Sequence, residues 1–141
     1  MKANRLFLLI LAAALFTVSC NKYEETVVQG VQMVSRDFTV KSANWFLQDG
    51  YYSVALEVPE ITKDVVDYGT VQVSRRLTDD KGQIFWTPLP SVRACEADGV
   101  LYSEYLDFEW TKGMVYVYFT ATDFYTDEKP DDMYFRVMVI L

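Results

Sequence analysis

From residue 31 onward, apolar and polar positions alternate with the period of two that a strand with one buried face requires. Phe38 and Val40 begin the pattern, and Tyr52, Val54, Leu56 and Val58 repeat it. With residues 45–47 and the turn Gln48-Asp49-Gly50, the second run predicts a hairpin over residues 43–58 that Pro59 ends. A short stretch then carries helical punctuation: Thr62 can cap a turn and Gly69 can close it at C′, which makes residues 60–69 a connector. Strand patterns resume with Val71, Val73, Arg75 and Leu77 on one face, the turn Asp79-Asp80-Lys81-Gly82, and residues 84–87 before the break Pro88-Leu89-Pro90.

Residues 91–97, the turn Asp98-Gly99, residues 101–108, the turn Lys112-Gly113 and residues 114–122 follow as further strands. In the last of these, Val115, Val117, Phe119 and Ala121 alternate with Met114, Tyr116, Tyr118 and Thr120, so either both faces are covered or one is broadly aromatic. A loop over 123–132 leads to a terminal strand at 134–141, whose lack of a polar tail makes it a candidate unpaired edge. Seven to nine short strands without a long helix predict an all-β fold, an antiparallel β-sandwich of immunoglobulin/fibronectin-like or jelly-roll-like type, with a small β-barrel as the alternative.

The first twenty residues break this pattern. Lys2 and Arg5 precede eleven apolar residues, 6–16, which as a helix rise only about 16 Å against about 30 Å of hydrocarbon. That is the proportion of a signal h-region, not of a membrane span. Thr17, Val18, Ser19 and Cys20 then resemble a lipobox, the site where bacterial lipoprotein precursors are acylated and cut, although Thr17 stands where Leu is usual. The resemblance implies a signal peptide over 1–19 and a lipid anchor, palmitate among its acyl chains, on Cys20; ordinary secretion with an unmodified Cys20 is the alternative. Several acyl chains anchor stably, since each buried CH₂ contributes about 0.8 kcal/mol.

Next come Lys22, Glu24 and Glu25, which resemble the export signal of surface lipoproteins of Bacteroidetes, or else form a plain charged tether. The resemblance implies an outer-membrane protein displayed on the cell surface; retention facing the periplasm is the alternative. Residues 59–62 through Gly69 and Val71, with Trp86 and Leu89-Pro90, are similar to Bacteroidetes lipoproteins with a sandwich domain, a resemblance that covers about a third of the chain and implies no particular activity. The expected organisation is a leader at 1–19, a lipidated tether at 20–30 and one sandwich domain at 31–141.

Charge and composition narrow the function. The chain has a formal charge of −7, and the leader holds two cations and no acid, so its removal takes the remainder to −9. Such a surface repels phosphate backbones and anionic headgroups, so nucleic acid is not expected as a partner and membrane contact is expected through the lipid alone. No histidine is present, which removes the usual general base and the commonest transition-metal ligand. No cofactor motif and no distinctive carboxylate pair appears, and a non-catalytic protein is expected. If Cys20 carries lipid, Cys95 lacks an intramolecular partner, and a small buried residue in a strand is its expected role.

Five carboxylates, Asp123, Asp127, Glu128, Asp131 and Asp132, form either a solvated loop or a set of oxygens able to interest Ca²⁺. Trp45, Tyr51 and Tyr52 flank one predicted hairpin turn, and Trp86, Trp110 and Tyr125 lie at or near predicted strand ends, where exposed rings stack on sugars or anchor a protein. Trp110, beside the Lys112-Gly113 turn, is the ring most expected to be exposed. A glycan or an envelope protein is therefore the expected partner, with assembly through a strand edge as the second reading and a hydrolase as the least favoured.

Overall fold

The computed structural model describes residues 30–122 and 129–141. Cys20, Lys22, Glu24, Glu25, Tyr125 and the acids Asp123, Asp127 and Glu128 lie outside the described residues. Val31–Leu141 forms one compact unit.

Among the described residues nine strands occupy β1 (Met33–Val40), β2 (Phe46–Gln48), β3 (Tyr51–Glu57), β4 (Thr70–Thr78), β5 (Ile84–Pro88), β6 (Ser91–Ala97), β7 (Val100–Thr111), β8 (Met114–Ala121) and β9 (Met133–Ile140). They make two antiparallel sheets, ordered β1-β9-β4-β5 and β2-β3-β8-β7-β6, and the strands do not close into a barrel. The fold is an all-β sandwich.

Local chemistry sets the turns. Asp49 and Gly50 join β2 to β3 with φ of 39° and 92°, and Asp98 and Gly99 join β6 to β7 with 52° and 78°. Two consecutive residues with positive φ turn a two-residue loop with the twist of the flanking strands, which is why Asp-Gly recurs at both places. Asp79 Oδ1 accepts the N–H groups of Lys81 and Gln83, which shapes the β4–β5 turn.

The helical connector is present as α1 (Lys63–Tyr68), with the Thr62 side chain accepting the Val65 N–H and Lys63 paired to Asp67 one turn on. Gly69 caps it, but in extended geometry at φ −101° and not in the left-handed form its expected role implied. It is glycine for a different reason: a Cβ there would collide with the Ile140 carbonyl oxygen.

The core fills the space between the sheets. Val71, Val73, Phe135, Val137 and Val139 from one inner face meet Tyr52, Val54, Leu56, Leu106, Val115, Val117 and Phe119 from the other. A 3-10 turn, Ser42–Asn44, carries the chain from β1 in the first sheet to β2 in the second, and Trp45 follows it directly. Its indole is fully buried, with ring centroids 6.3 Å from Phe119 of β8 and 6.4 Å from Phe135 of β9. Trp45 is thus a plug that touches both sheets, and its expected role as an exposed ligand-binding ring is overturned.

The expected edge is also corrected. β9 pairs with β1 along one side and β4 along the other, so the C-terminal strand lies inside its sheet. Burial explains it: Met133, Phe135, Val137 and Val139 are buried, and the alternate residues are half-covered. The edges are β1, β5, β2 and β6. Cys95 is a free thiol on β6, half-buried and not a core residue, because an edge strand leaves its inward positions at the margin of the sandwich.

Ion pairs tie the periphery. Arg36 bonds Glu60 at 2.7 Å, Arg136 grips Asp37 with two bonds of 2.7 and 2.8 Å, and Lys41 bonds Asp132 at 2.7 Å while Asp132 also accepts the Ser42 N–H. Asp132 therefore pins the start of β9 to the turn that precedes Trp45. Arg136 beside Asp37, Arg36 beside Glu60, and Lys41 with the Ser42 N–H beside Asp132 each hold a carboxyl below its ordinary value of 3.8 or, for Glu60, 4.5.

A depressed folded pKa adds stability that is complete above the unfolded value and is lost as pH falls through the folded one. The thermal midpoint of the domain is therefore expected to start falling below about pH 4.5. Asp132→Asn should lower the midpoint at pH 7 and flatten that fall, as a pH series of thermal melts would show; an unchanged slope would exclude Asp132 from it.

Candidate functional site

Strand parity decides which rings meet. On the five-stranded sheet, Phe46 of β2 stands opposite Ser53 of β3, Ser53 opposite Tyr118 of β8, and Tyr118 opposite Asp107 of β7. A second row runs Ala55, Tyr116, Glu109, and a third runs Thr120, Tyr105, Val92. Directly opposed residues share a face, and these rows alternate with the buried rows of Val54, Val117 and Phe119. All of them therefore point away from the core.

The result is a solvent-facing platform of rings. Phe46 is 69% exposed, Tyr105 43% and Tyr116 37%, while Tyr51 and Tyr118 are half-buried against each other. The Tyr51 and Tyr118 rings meet edge to face, centroids 5.7 Å apart and planes at 77°. Small residues between the rings leave hollows. Over Ser53 and Ala55, a depression of about 670 Å³ is bordered by Asn44, Phe46, Gln48, Tyr116 and Tyr118. Beyond the Tyr51–Tyr118 ridge a second, of about 750 Å³, is bordered by Val92, Tyr105, Asp107, Glu109 and Thr120.

Polar groups are set among the rings. Tyr118 donates its hydroxyl to Glu109 Oε2 at 3.2 Å, and Ser53 Oγ donates to Gln48 Oε1 at 3.3 Å. Partial burial, followed by the Glu109 carboxylate, raises the Tyr118 hydroxyl above its ordinary value of 10.0, so it stays a neutral donor that orients the carboxylate. The Asp107 carboxyl takes the Phe108 N–H at 2.7 Å and keeps a second oxygen for another donor. Flat apolar ring faces beside fixed acceptors suit a ligand that has both C–H faces and hydroxyl groups.

Of the rings picked out in the sequence, Tyr51 belongs to this site, whereas Tyr52, a buried core residue, and the tryptophans do not. Trp45 is in the core. Trp110 shares strand parity with Leu106 and Phe108, so it faces inward and packs on the core; its expected exposure is corrected. Trp86 lies on the outer face of the other sheet, 36% exposed, with the Arg136 guanidinium 4.2 Å above its ring. Arg136 is in turn held by Asp37, and the stack covers Ser74, which explains a buried serine on an outward position.

Phe46, Tyr105, Tyr116 and Tyr118 were passed over in the sequence, yet the alternation of Tyr116 and Tyr118 with three buried residues of β8 was the signal for two of them. Asp131 and Asp132 are the described members of the acidic loop, and Asp132 is engaged with Lys41 and Ser42. Among the described residues no three Asp, Glu or Cys side chains cluster as a metal site. Compared with known protein families, curated proteins and solved structures, the chain matches none.

Proposed function

We propose that the protein is a non-catalytic lipoprotein of the cell envelope, of the Bacteroidetes surface type, which binds a glycan on the outer face of its five-stranded sheet. The leader and lipobox support export and acylation at Cys20, and Lys22, Glu24 and Glu25 support display on the outer membrane's external surface. The observation that carries the binding reading is the pair of depressions flanking Tyr51 and Tyr118, with Gln48, Asp107 and Glu109 placed among the rings. Rings supply a large contact area at little entropic cost, and the carboxylates and amide fix the orientation of hydroxyl groups.

A glycan array probed with residues 20–141 carrying Cys20→Ser, and so unacylated, tests this. A defined set of glycans is expected to bind, and Tyr51→Ala and Tyr118→Ala are each expected to weaken binding by about 1–2 kcal/mol, roughly 5- to 30-fold. An array with no bound glycan would overturn the reading. The anchor has a separate test. Incorporation of a fatty-acid analogue in the native host is expected to vanish in Cys20→Ala, and labelling that persists would refute the lipid.

One observation favours a second reading, in which the domain docks an envelope protein. β6 is an exposed edge of seven residues with no strand paired on its outer side among the described residues, and a partner strand could add there by β-augmentation.

A further inference from the structure

The charges on the two outer faces are segregated. The outward positions of the five-stranded sheet include Glu57, Glu96, Asp107 and Glu109, and none of them is Lys or Arg. Both outward arginines of the other sheet, Arg76 and Arg136, lie against rings, Arg76 at 3.9 Å over Tyr134 and Arg136 at 4.2 Å over Trp86. Arg75, the remaining arginine of β4, points inward to Glu104. A ligand on the tyrosine platform thus meets acceptors and ring faces and, among the described residues of this face, no cation.

Resting on the glycan reading above, we infer that the ligand is an oligosaccharide chain free of carboxylate, sulfate and phosphate groups, lying across the strands from β2 to β6. An acidic sugar over Asp107 and Glu109 would face like charge with no guanidinium or ammonium on this face among the described residues to pair it, and because both carboxylates are exposed the repulsion is felt most at low ionic strength. Hydroxyl groups meet no such penalty, since both carboxylates accept hydrogen bonds. The length follows from the placement of the hollows. One lies toward β2 and the other toward β6, on either side of the Tyr51–Tyr118 ridge, and four strand spacings of about 4.8 Å span about 19 Å. A single sugar reaches the rings on one side only; a chain crosses the ridge and stacks on rings at both sides.

The test uses pairs of polymers that share a backbone and differ in whether it carries carboxylates. Residues 20–141 with Cys20→Ser are run in affinity electrophoresis and calorimetry against polygalacturonate and its fully methyl-esterified form, and against laminarin, mannan and xyloglucan with their carboxymethylated derivatives. A neutral polymer is expected to bind, and its acidic counterpart at least about 10-fold more weakly at low salt. Asp107→Asn with Glu109→Gln should close that gap by admitting the acidic form. Acidic polymers binding as tightly as neutral ones, or monosaccharides as tightly as chains, would overturn the inference while leaving glycan binding intact. Binding of no polymer in either form would overturn the glycan reading itself, and the inference with it.

Discussion

Trp45→Ala is expected to cost about 3–5 kcal/mol of folding stability, enough to leave a domain of this size marginal or unfolded at 37 °C. The indole is fully buried and touches Phe119 in one sheet and Phe135 in the other, so its removal opens a cavity at the joint between them. The surrounding strands are hydrogen-bonded into two sheets and cannot collapse freely into that space. Among the described residues its buried Nε1 has no hydrogen-bond partner. Trp45→Phe keeps an aromatic plug and deletes that unsatisfied donor, so it should lose much less than the alanine variant. Urea denaturation of the three proteins measures this. An alanine variant within about 1 kcal/mol of the parent would show that Trp45 does not join the sheets.

Glu104→Ala is expected to cost about 3 kcal/mol, more than any of the surface pairs contributes. Glu104 of β7 and Arg75 of β4 face each other between the sheets at 3.1 Å, with 16% and 14% of their side chains exposed. Truncating the acid leaves a guanidinium facing the core with its attraction gone and its desolvation remaining. The double replacement Arg75→Met with Glu104→Leu removes both charges and refills the gap, and it should recover most of the loss. A double-mutant cycle of Arg75→Met and Glu104→Leu read by urea denaturation decides the matter: if the losses of the two single variants simply add in the double, the pair makes no net contribution. The ion pairs at Arg36, Lys41 and Lys63 are more exposed, with over two-fifths of each cation's side chain accessible, and single deletions there should fall within the ordinary surface range.

The fold class was legible because each strand announces itself locally. Val54 and Leu56, or Val115 and Val117, repeat at the period of the pleat, and Asp49-Gly50 and Asp98-Gly99 mark turns that few other residue pairs can make. The helix cap at Thr62 was legible for the same reason, since a side-chain oxygen needs only its own neighbours to reach the Val65 N–H. The site was half legible. Tyr116 and Tyr118 stand opposite the valines of β8 in the alternation itself, but Tyr105 joins them only through the register of the β7–β8 hairpin, and Phe46 only through the pairing of β3 with β8, far away in the chain.

The tryptophans misled because size and nearness to a turn say nothing of direction. Trp45 and Phe46 are neighbours, and one is wholly buried while the other is among the most exposed rings of the domain. Trp110 could have been read correctly, since two-residue steps carry it from Leu106 to the same inner face.

By itself, then, the sequence determined the period-two strands, their turns, the capped connector and the acidic, histidine-free character of the surface, since each depends on residues adjacent in the chain or on simple composition. The tertiary structure alone decided that β9 inserts between β1 and β4, that Trp45 joins the sheets, and that arginines stack on one outer face while tyrosines and carboxylates gather on the other. Those facts depend on pairing between distant strands. Alternation specifies which residues share a face, but only pairing specifies which face is inward and which neighbours it acquires.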